Sequence, residues 1–272
     1  DPVNSSLSLG LRSNLRTFDS FVKATGSVKD WKHAPDFALG TLETLELRPT
    51  NLVQQGLNET ISNTDRASTL GVEMRGILSQ AMDIANSSHN NQFIFAGYQV
   101  NTKPFQLDID TVKGTYTDYF GNAAADYQKI TYNGDAGVMQ RTLAPDQSII
   151  LNVNGKPALN EILDKLLTAY EALVKSPYDA NVLQASLAGL QTAADVLDQN
   201  RTSNGTRLRQ AETAADYLEQ VKIETKGLLS KKEDTNMAEA YASLAGQKTT
   251  YQAVLEVSQR AISALSLFDY MQ

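Results

Sequence analysis

Apolar residues recur every three or four positions over residues 7–84, which predicts helices that pack against other helices. The most regular series closes this stretch: Leu70, Met74, Ile77, Ala81 and Ile84. Earlier, the pattern breaks from Trp31 to Pro35 and meets another proline at Pro49. Because proline has no backbone N–H group and disfavours helical backbone in the residue before it, we expect a helix break at Trp31–Pro35 and a kink at Pro49.

The spacing changes between Phe93 and Gly155, where glycines separate short runs rich in Tyr, Thr, Val and Ile. These runs predict four strands: Tyr116–Tyr119, Lys129–Tyr132, Val138–Leu143 and Ser148–Val153. Asn133-Gly134-Asp135 and Asn154-Gly155 are sequences typical of turns that reverse a strand. We therefore expect a small β domain inserted between helices.

Helical spacing returns at Leu159 and continues almost to the end of the chain. One amphipathic helix, ended by Ser176-Pro177, is predicted from these residues: Leu159, Ile162, Leu163, Leu166, Tyr170 and Leu173. A single long helix over residues 181–230 is predicted, despite Gly205, from a second series: Leu183, Leu187, Leu190, Ala194, Leu197, Leu208, Ala211, Ala215 and Leu218. The spacing favours a coiled coil, and an ordinary helical bundle would show the same pattern.

The segment from Asn236 to Gln272 is poor in charge. Its charged residues are Glu239, Lys248, Glu256, Arg260 and Asp269, and the rest are small, polar or large apolar residues. A helix of this composition is expected to lie among other protein chains rather than in water. The interface for assembly, or for a chaperone before assembly, is predicted at the aligned apolar residues: Tyr241, Leu244, Tyr251, Leu255, Ile262, Leu265 and Phe268.

These patterns together predict an α+β protein. We expect an elongated helical rod, in which N- and C-terminal helices pair, with a small β domain inserted. The predicted boundaries are residues 1–95 for the N-terminal helices, 96–157 for the β domain, 158–232 for the C-terminal helices and 233–272 for the charge-poor assembly helix.

Composition narrows the functional class. The 272 residues carry 24 Lys and Arg against 31 Asp and Glu, a net charge of −7, which argues against nucleic acid as a partner. No run approaches the roughly 20 apolar residues of a membrane span. The first residues have neither a basic region nor an apolar core, so we expect no cleaved signal peptide.

The sequence predicts no catalytic, cofactor or metal site. Cysteine is absent, and no phosphate-binding loop, nucleophile elbow or zinc-protease motif is present. His33 and His89 lack a neighbouring group that would orient a base, so we expect solvated or capping roles for both. The acidic residues of the β region do not follow a calcium-loop spacing and are expected to be solvated in loops: Asp108, Asp110, Asp118, Asp126 and Asp135.

Several segments resemble one family in order and spacing over nearly the whole chain. They are Phe93–Tyr98 (Phe-Ile-Phe-Ala-Gly-Tyr), Thr102–Phe105, Tyr132–Gly137, Arg201–Arg207, Glu233–Glu239 and the closing Leu-Ser-Leu-Phe-Asp-Tyr. On these segments the chain is similar to the flagellar hook-associated proteins of the hook–filament junction, the FlgL type, within the flagellin superfamily. Asp1-Pro2-Val3 resembles the family's Asp-Asp-Pro segment, which follows an N-terminal stretch of a few dozen residues in the family. That stretch is absent here.

The resemblance implies a structural role without catalysis. Such a subunit is expected to pass unfolded through the flagellar export apparatus and to act outside the cell. Its implied partners are neighbouring copies of itself in a ring, the adjacent hook-associated protein, flagellin, and a cytosolic export chaperone on the C-terminal helix. Neither nucleic acid nor a membrane is among them, and no cofactor is implied.

Two other functions remain open from the sequence. The first is a minor flagellin that polymerises into a filament. The second is an adhesin or extracellular enzyme with its site in the β domain, since a fold does not fix a function.

Overall fold

The chain divides into two compact units. The computed structural model describes the backbone of residues 2–122 and 124–269 and the side chains of residues 6–122, 124–233 and 237–260. Unit 1 comprises Asp1–Ser20 with Tyr217–Gln272, and unit 2 is Phe21–Asp216. The predicted α+β class is confirmed, whereas the four predicted domain boundaries stay a prediction.

Helices account for most of the described chain. They are α1 (Pro2–Gly56), α2 (Asn63–Asp65), α3 (Val72–Ala85), α4 (Gly155–Val174) and α5 (Ala180–Asp269), with a π-helical turn at Arg66–Gly71 between α2 and α3. The helix predicted over residues 181–230 is present, and α5 extends it by a further 39 residues to Asp269 (269 − 230). The buried residues of α5 correct part of the predicted series, because Ser186, Ala193 and Ala214 are buried where Leu187, Ala194 and Ala215 were expected.

The predicted helix break at Trp31–Pro35 is wrong. Helix α1 continues through both Pro35 and Pro49, and both prolines are buried. A proline inside a helix costs about 3 kcal/mol, mainly through a lost hydrogen bond and a steric clash. The side chains of α1 that pack into the core lie on both sides of the prolines: Val28, Ala38, Leu39, Leu42, Leu52 and Val53. Tertiary packing of this kind supplies most helical stability in proteins, and here it offsets the two prolines.

The strands are short and pair antiparallel. They are β1 (Ser88–His89), β2 (Gln92–Phe93), β3 (Phe105–Ile109), β4 (Thr115–Asp118), β5 (Ala125–Asp126), β6 (Gln128–Tyr132), β7 (Gln140–Ala144), β8 (Gln147–Ile150) and β9 (Lys175–Ser176). The pairs are β1 with β2, β3 with β6, β4 with both β5 and β9, and β7 with β8. All four predicted strands occur with shifted bounds as β4, β6, β7 and β8, whereas β3 was not predicted.

Asn154-Gly155 does not form the predicted strand-reversing turn. Asn154 is the N-cap of α4, and its side chain accepts a hydrogen bond from the backbone N–H of Lys156 at 3.1 Å. Asparagine favours both turns and helix N-caps, so the dipeptide alone does not separate the two outcomes. The apolar series that starts at Leu159 favours a helix here, which makes Asn154 its N-cap.

The main core of unit 2 joins its four longer helical segments. Residues of α1, α3, α4 and α5 in this core are inaccessible to solvent: Leu39, Leu52, Met74, Leu159, Leu163, Leu173 and Leu183. A smaller cluster packs the β7–β8 hairpin against α1 and α5 through Val28, Leu143, Ile149, Ala211 and Ala214.

A buried arginine terminates α1. The Nε atom of Arg66 donates a hydrogen bond to the carbonyl oxygen of Gly56 at 2.7 Å, and the guanidinium lies 3.7 Å from the centre of the Tyr178 ring. The hydroxyl of Tyr178 donates to the same carbonyl at 3.2 Å. The last turn of α1 therefore has partners for a carbonyl group that the helix itself leaves open.

Candidate functional site

Helix α5 has a seam of buried residues from Leu183 to Thr225, whereas its apolar residues further along the chain are exposed. In unit 2 the buried positions recur at intervals of three, four or seven residues: Leu183, Ser186, Leu190, Ala193, Leu197, Asn204, Ala211 and Ala214. From residue 237 to residue 260, in contrast, every described side chain of α5 is exposed. This downstream part has the same kind of apolar spacing but no covering surface among the described residues.

The exposed apolar residues share one side of the helix. Tyr241 is 65% exposed, Leu244 61%, Tyr251 66% and Leu255 47%. At 3.6 residues per turn these four residues, with Met237, fall within about 80° around the helix axis. We call this surface, residues 237, 241, 244, 251 and 255, the apolar face of α5.

The structure places four of the seven predicted interface residues on the apolar face. Ile262, Leu265 and Phe268 lie on the same helix, but their side chains are outside the described residues. Met237, 55% exposed, belongs to the face and was missed by the sequence analysis. Its position four residues before Tyr241 was the available signal. The interface role of all these residues stays a prediction.

One positive charge lies within the apolar face. Counted at 3.6 residues per turn, Lys248 projects between Leu244 and Tyr251, where it continues the three-four spacing. A single polar residue at such a position specifies the register and the number of chains in coiled coils, at a cost in stability. On other sides of the helix the hydroxyls of Thr249 and Thr250 each donate to the backbone carbonyl four residues earlier, at 2.9 Å.

In unit 1, ion pairs link α1 to the part of α5 that precedes the apolar face. Arg12 pairs with Glu233 at 2.6 Å, and Lys222 pairs with Asp19 at 2.9 Å. The hydrogen bond to Asp19 raises the pKa of Lys222. The Arg12–Glu233 pair is largely exposed and contributes little to stability. In the second pair, the Lys222 side chain is only 15% exposed.

The covered part of α5 contains a buried polar pair. Lys32 and Asn204 are both fully buried; Lys32 Nζ donates to Asn204 Oδ1 at 3.2 Å, and Asn204 Nδ2 donates to the carbonyl oxygen of Lys32 at 3.2 Å. Burial, with a smaller contribution from the positive charge of Arg207, lowers the pKa of Lys32 to about 7. The sequence did not predict this pair, because Lys32 lies in the stretch that was expected to break the helix, and Asn204 was placed in the register of the long helix without a partner.

Two of the segments that carry the family resemblance meet in space. The carboxylate of Asp135 accepts hydrogen bonds from the backbone N–H groups of Tyr98 at 2.8 Å and Gly137 at 2.7 Å. The hydroxyl of Tyr132 donates to the carbonyl oxygen of Phe95 at 2.8 Å. Gly97 has φ +69°, and a Cβ atom there would collide with Asp135. Hydrogen bonds therefore join the Phe93–Tyr98 segment to the Tyr132–Gly137 segment within the strand-containing region.

This contact corrects the expectation for Asp135, which is a structural hydrogen-bond acceptor rather than a solvated loop residue. Asp110 and Asp118 also accept backbone N–H groups within their own turns. His33 is exposed as expected, whereas His89 is half-buried with its ring edge-to-face on Trp31 at 5.9 Å. Within the described ranges, no group of three or more His, Cys, Asp or Glu residues could hold a metal ion. No described helix is long and apolar enough to cross a membrane.

Comparisons with known proteins point to flagellar proteins. No family model matches the chain. The flagellar hook-associated protein 3 of Escherichia coli strain K12 is 30% identical over 154 residues, which are 55% of this chain and 44% of that protein. The protein of the same name from Salmonella typhimurium is 47% identical over 49 residues, 18% of this chain and 15% of that protein. The chain thus spans less than half the length of each of these relatives.

Solved structures decide the fold. A putative flagellar hook-associated protein from Vibrio parahaemolyticus superimposes with a TM-score of 0.69 at 15% identity, over 85% of this chain and 98% of that one. FlgL from Bacillus cereus gives 0.65 at 20% identity, over 81% and 99%. This chain has the FlgL-type fold. The flagellar hook-associated protein 3 of Legionella pneumophila agrees, with a TM-score of 0.67 at 14% identity over 83% and 98%.

The resemblance to FlgL-type proteins that the sequence motifs predicted is therefore confirmed. The relatives are named for association with the flagellar hook, which is a structural assembly. The apolar face of α5 holds four of the residues that the sequence analysis predicted as an interface.

Proposed function

We propose that this chain is a structural subunit of the bacterial flagellum that forms the junction between hook and filament. The observation that carries the proposal is an apolar helix face left exposed on an FlgL-type fold. Burying a large apolar side chain contributes about 1.5–3 kcal/mol. The side chains of the apolar face are exposed in the single chain, so they contribute this free energy only when α5 packs against other helices.

The proposed partners on the apolar face are neighbouring copies of this chain in a ring. The adjacent hook-associated protein and flagellin bound the ring on its two sides. The three-four spacing of Tyr241, Leu244, Tyr251 and Leu255 supports helix-to-helix packing, because this spacing keeps one side of a helix turned to its neighbours. Lys248 within the face favours a single register over a sliding contact.

Before assembly, the same face needs protection from water. We propose that a cytosolic export chaperone covers the C-terminal helix and that the flagellar export apparatus secretes the chain. The mature subunit then acts outside the cell. Its role rests on packing complementarity, so it catalyses no reaction and needs neither a cofactor nor a metal.

Deletion of the gene in its own bacterium tests the junction role. Electron microscopy of the deletion strain, with an assay for flagellin in the medium, separates the candidates. We expect hooks without filaments and flagellin shed as monomer. Normal or merely shortened filaments would instead favour a minor flagellin and would contradict the junction role.

A truncation separates assembly from folding. Removal of residues 236–272 deletes the whole apolar face and leaves unit 2, Phe21–Asp216, intact in sequence. We expect the truncated chain to keep the folded Phe93–Gly155 region but to be absent from flagella. Incorporation of the truncated chain at the full-length level would exclude the C-terminal helix as the assembly surface.

A further inference from the structure

A pocket in unit 2 has features of a small-ligand site. It has a volume of about 360 Å³ and lies between α1, the β1–β2 turn and the β7–β8 hairpin. Helix α1 contributes Val28, Asp30 and Trp31, and the hairpin contributes Met139, Arg141 and Leu151. Pockets of a few hundred Å³ that combine apolar walls with a few polar groups are typical of small-ligand sites.

The first polar feature is an unsatisfied donor. The indole Nε1 of Trp31 is buried and has no hydrogen-bond partner among the described residues. The His89 ring stands edge-to-face against the indole at 5.9 Å, with an angle of 89° between the two planes. A buried indole N–H group ordinarily has an acceptor. Because this atom is closed to solvent, a ligand oxygen reaches it only when the side chains around the indole move.

The second feature is an arginine on the inner side of a hairpin. Arg141 pairs directly with Ile149 across β7 and β8, and Ile149 is buried in the cluster that holds the hairpin to α1. Residues directly opposite each other on paired strands share a face of the sheet. Arg141 therefore leaves the strand on the face that turns toward α1, and the residue is exposed, so its guanidinium lies at the solvent-facing edge of the pocket.

The third feature is a carboxylate on the same pocket. Asp30 lines it from α1, and neither Asp30 nor Arg141 forms an ion pair with any described residue. The two opposite charges therefore lie more than 4.0 Å apart, the limit for an ion pair. Asp30 repels the two charges of a phosphate dianion more strongly than the single charge of a carboxylate, so the pocket suits a carboxylate better than a phosphate group.

We propose that this pocket binds an acylated apolar amino acid with a free carboxylate, a unit that also forms the C-terminus of a peptide. The carboxylate pairs with the guanidinium of Arg141, which suits planar, two-point recognition. The acyl carbonyl accepts from Trp31 Nε1, and the amide N–H donates to Asp30. The apolar side chain packs on Val28, Met139 and Leu151. This proposal does not depend on the junction role.

Trp31 supplies the test, because it is the one tryptophan of the chain and its fluorescence reports on the pocket itself. The full chain is titrated with N-acetyl-L-leucine and, as the matched control, with N-acetyl-L-leucinamide, which lacks the carboxylate. We expect a saturable change with the acid and about tenfold weaker binding of the amide. A third titration uses the peptide acetyl-Ala-Ala-Leu. Tighter binding than the acetylated amino acid identifies a peptide C-terminus as the ligand, and weaker binding identifies a free acylated amino acid.

Two variants complete the test. Arg141→Gln should weaken binding of N-acetyl-L-leucine about tenfold, because a charged hydrogen bond is lost. Arg209→Gln removes an equivalent exposed charge outside the pocket and should bind as the unchanged chain does. Circular dichroism checks that both variants are folded. The proposal is overturned if no saturable change occurs up to about 10 mM ligand, if the amide binds as well as the acid, or if Arg141→Gln has no effect.

Discussion

Leu197 and Leu244 lie on one helix, α5, yet Leu197 is fully buried and Leu244 is 61% exposed. Leu197 belongs to the core that side chains of α1, α3, α4 and α5 form in unit 2. Around Leu244, no described residue covers the apolar face. The difference shows that one helix can use the same apolar spacing both for its own core and for a surface that other chains can cover.

The covered part of α5 is also the part that contains a buried polar pair. Lys32 and Asn204 exchange hydrogen bonds across the seam, and this costs stability relative to apolar packing while it favours one register. In the uncovered part, Lys248 occupies the comparable position within the apolar face. We infer that both parts of the helix use one polar residue to restrict how the apolar residues align.

The largest expected effect comes from truncating the two leucines in separate variants. Leu197→Ala should lower the free energy of unfolding by about 2–5 kcal/mol, because it leaves a cavity in a packed core. Leu244→Ala should change it by no more than about 0.5 kcal/mol, because the side chain is already in water. Denaturation with urea, followed by circular dichroism, measures both. Equal losses would show that Leu244 is covered within the single chain.

The buried lysine should make stability depend on pH. The pKa of Lys32 is lowered to about 7 in the folded chain from its ordinary value of 10.5. Between these values the unfolded chain binds a proton that the folded chain does not, so stability rises with pH. We expect Lys32→Met to reduce this rise by on the order of 1 kcal/mol per pH unit from pH 7 to 9.

Unfolding curves at several pH values test this expectation. Burial, followed by the nearby charge of Asp135, raises the pKa of Tyr132 from its ordinary value of 10.0 to about 12 in the folded chain. Between these values the folded chain binds a proton that the unfolded chain does not, so stability falls as the pH rises. The window stops at pH 9 to avoid this opposite contribution. Lys23→Met, on an exposed part of α1, is the matched control and should keep the slope of the unchanged chain. The same slope in Lys32→Met would mean that Lys32 is charged in the folded state.

Glycines on the two parts of α5 give a smaller contrast. At Gly246 a Cβ atom would meet nothing within 4 Å, so Gly246→Ala should stabilise the local helix by about 0.5–1 kcal/mol. At Gly189 the same atom would lie 2.9 Å from Lys165 Cδ, so the gain there should be smaller. Hydrogen exchange of the neighbouring amides measures both. A larger stabilisation at Gly189 than at Gly246 would contradict the conclusion that other residues cover α5 near Gly189 but not near Gly246.

The smallest expected effect is that of the ion pair between Arg12 and Glu233. The arginine side chain is 56% exposed, so Arg12→Ala should cost less than about 1 kcal/mol. The cost should shrink further when salt is added, because exposed charges are screened. Thermal unfolding at low and high salt measures it. A loss that is both large and independent of salt would mean that the pair is desolvated.

The sequence predicted the helices with strong apolar periodicity. The series Leu159–Leu173 and Leu70–Ile84 correspond to α4 and α3, and their apolar residues face the core of unit 2. It failed at Trp31–Pro35, because a local rule about proline cannot include packing between residues far apart in the chain, and the kink at Pro49 stays a prediction. Asn154 was misassigned for a related reason, since asparagine suits a turn and a helix N-cap equally well.

The position of the apolar face along the sequence was predictable, but the contacts between residues distant in sequence were not. Low charge and aligned apolar residues located the face at Tyr241–Leu255, and Met237 would have followed from the same spacing. The pocket at Trp31 was not predictable, because Trp31, His89 and Arg141 are distant in sequence and only the fold brings them together. Burial of Lys32 was missed because lysine is rarely found fully buried.

The most direct test of the central claim places a negative charge on two sides of the same helix. Leu244→Glu changes the apolar face, whereas Thr250→Glu adds the same charge to another side of α5, half a turn from Tyr241. Each variant is expressed in the deletion strain, and its incorporation into flagella is measured with antibody labelling and electron microscopy. The account predicts loss of filaments with Leu244→Glu and normal filaments with Thr250→Glu. Normal incorporation of Leu244→Glu would contradict the claim that this face mediates assembly.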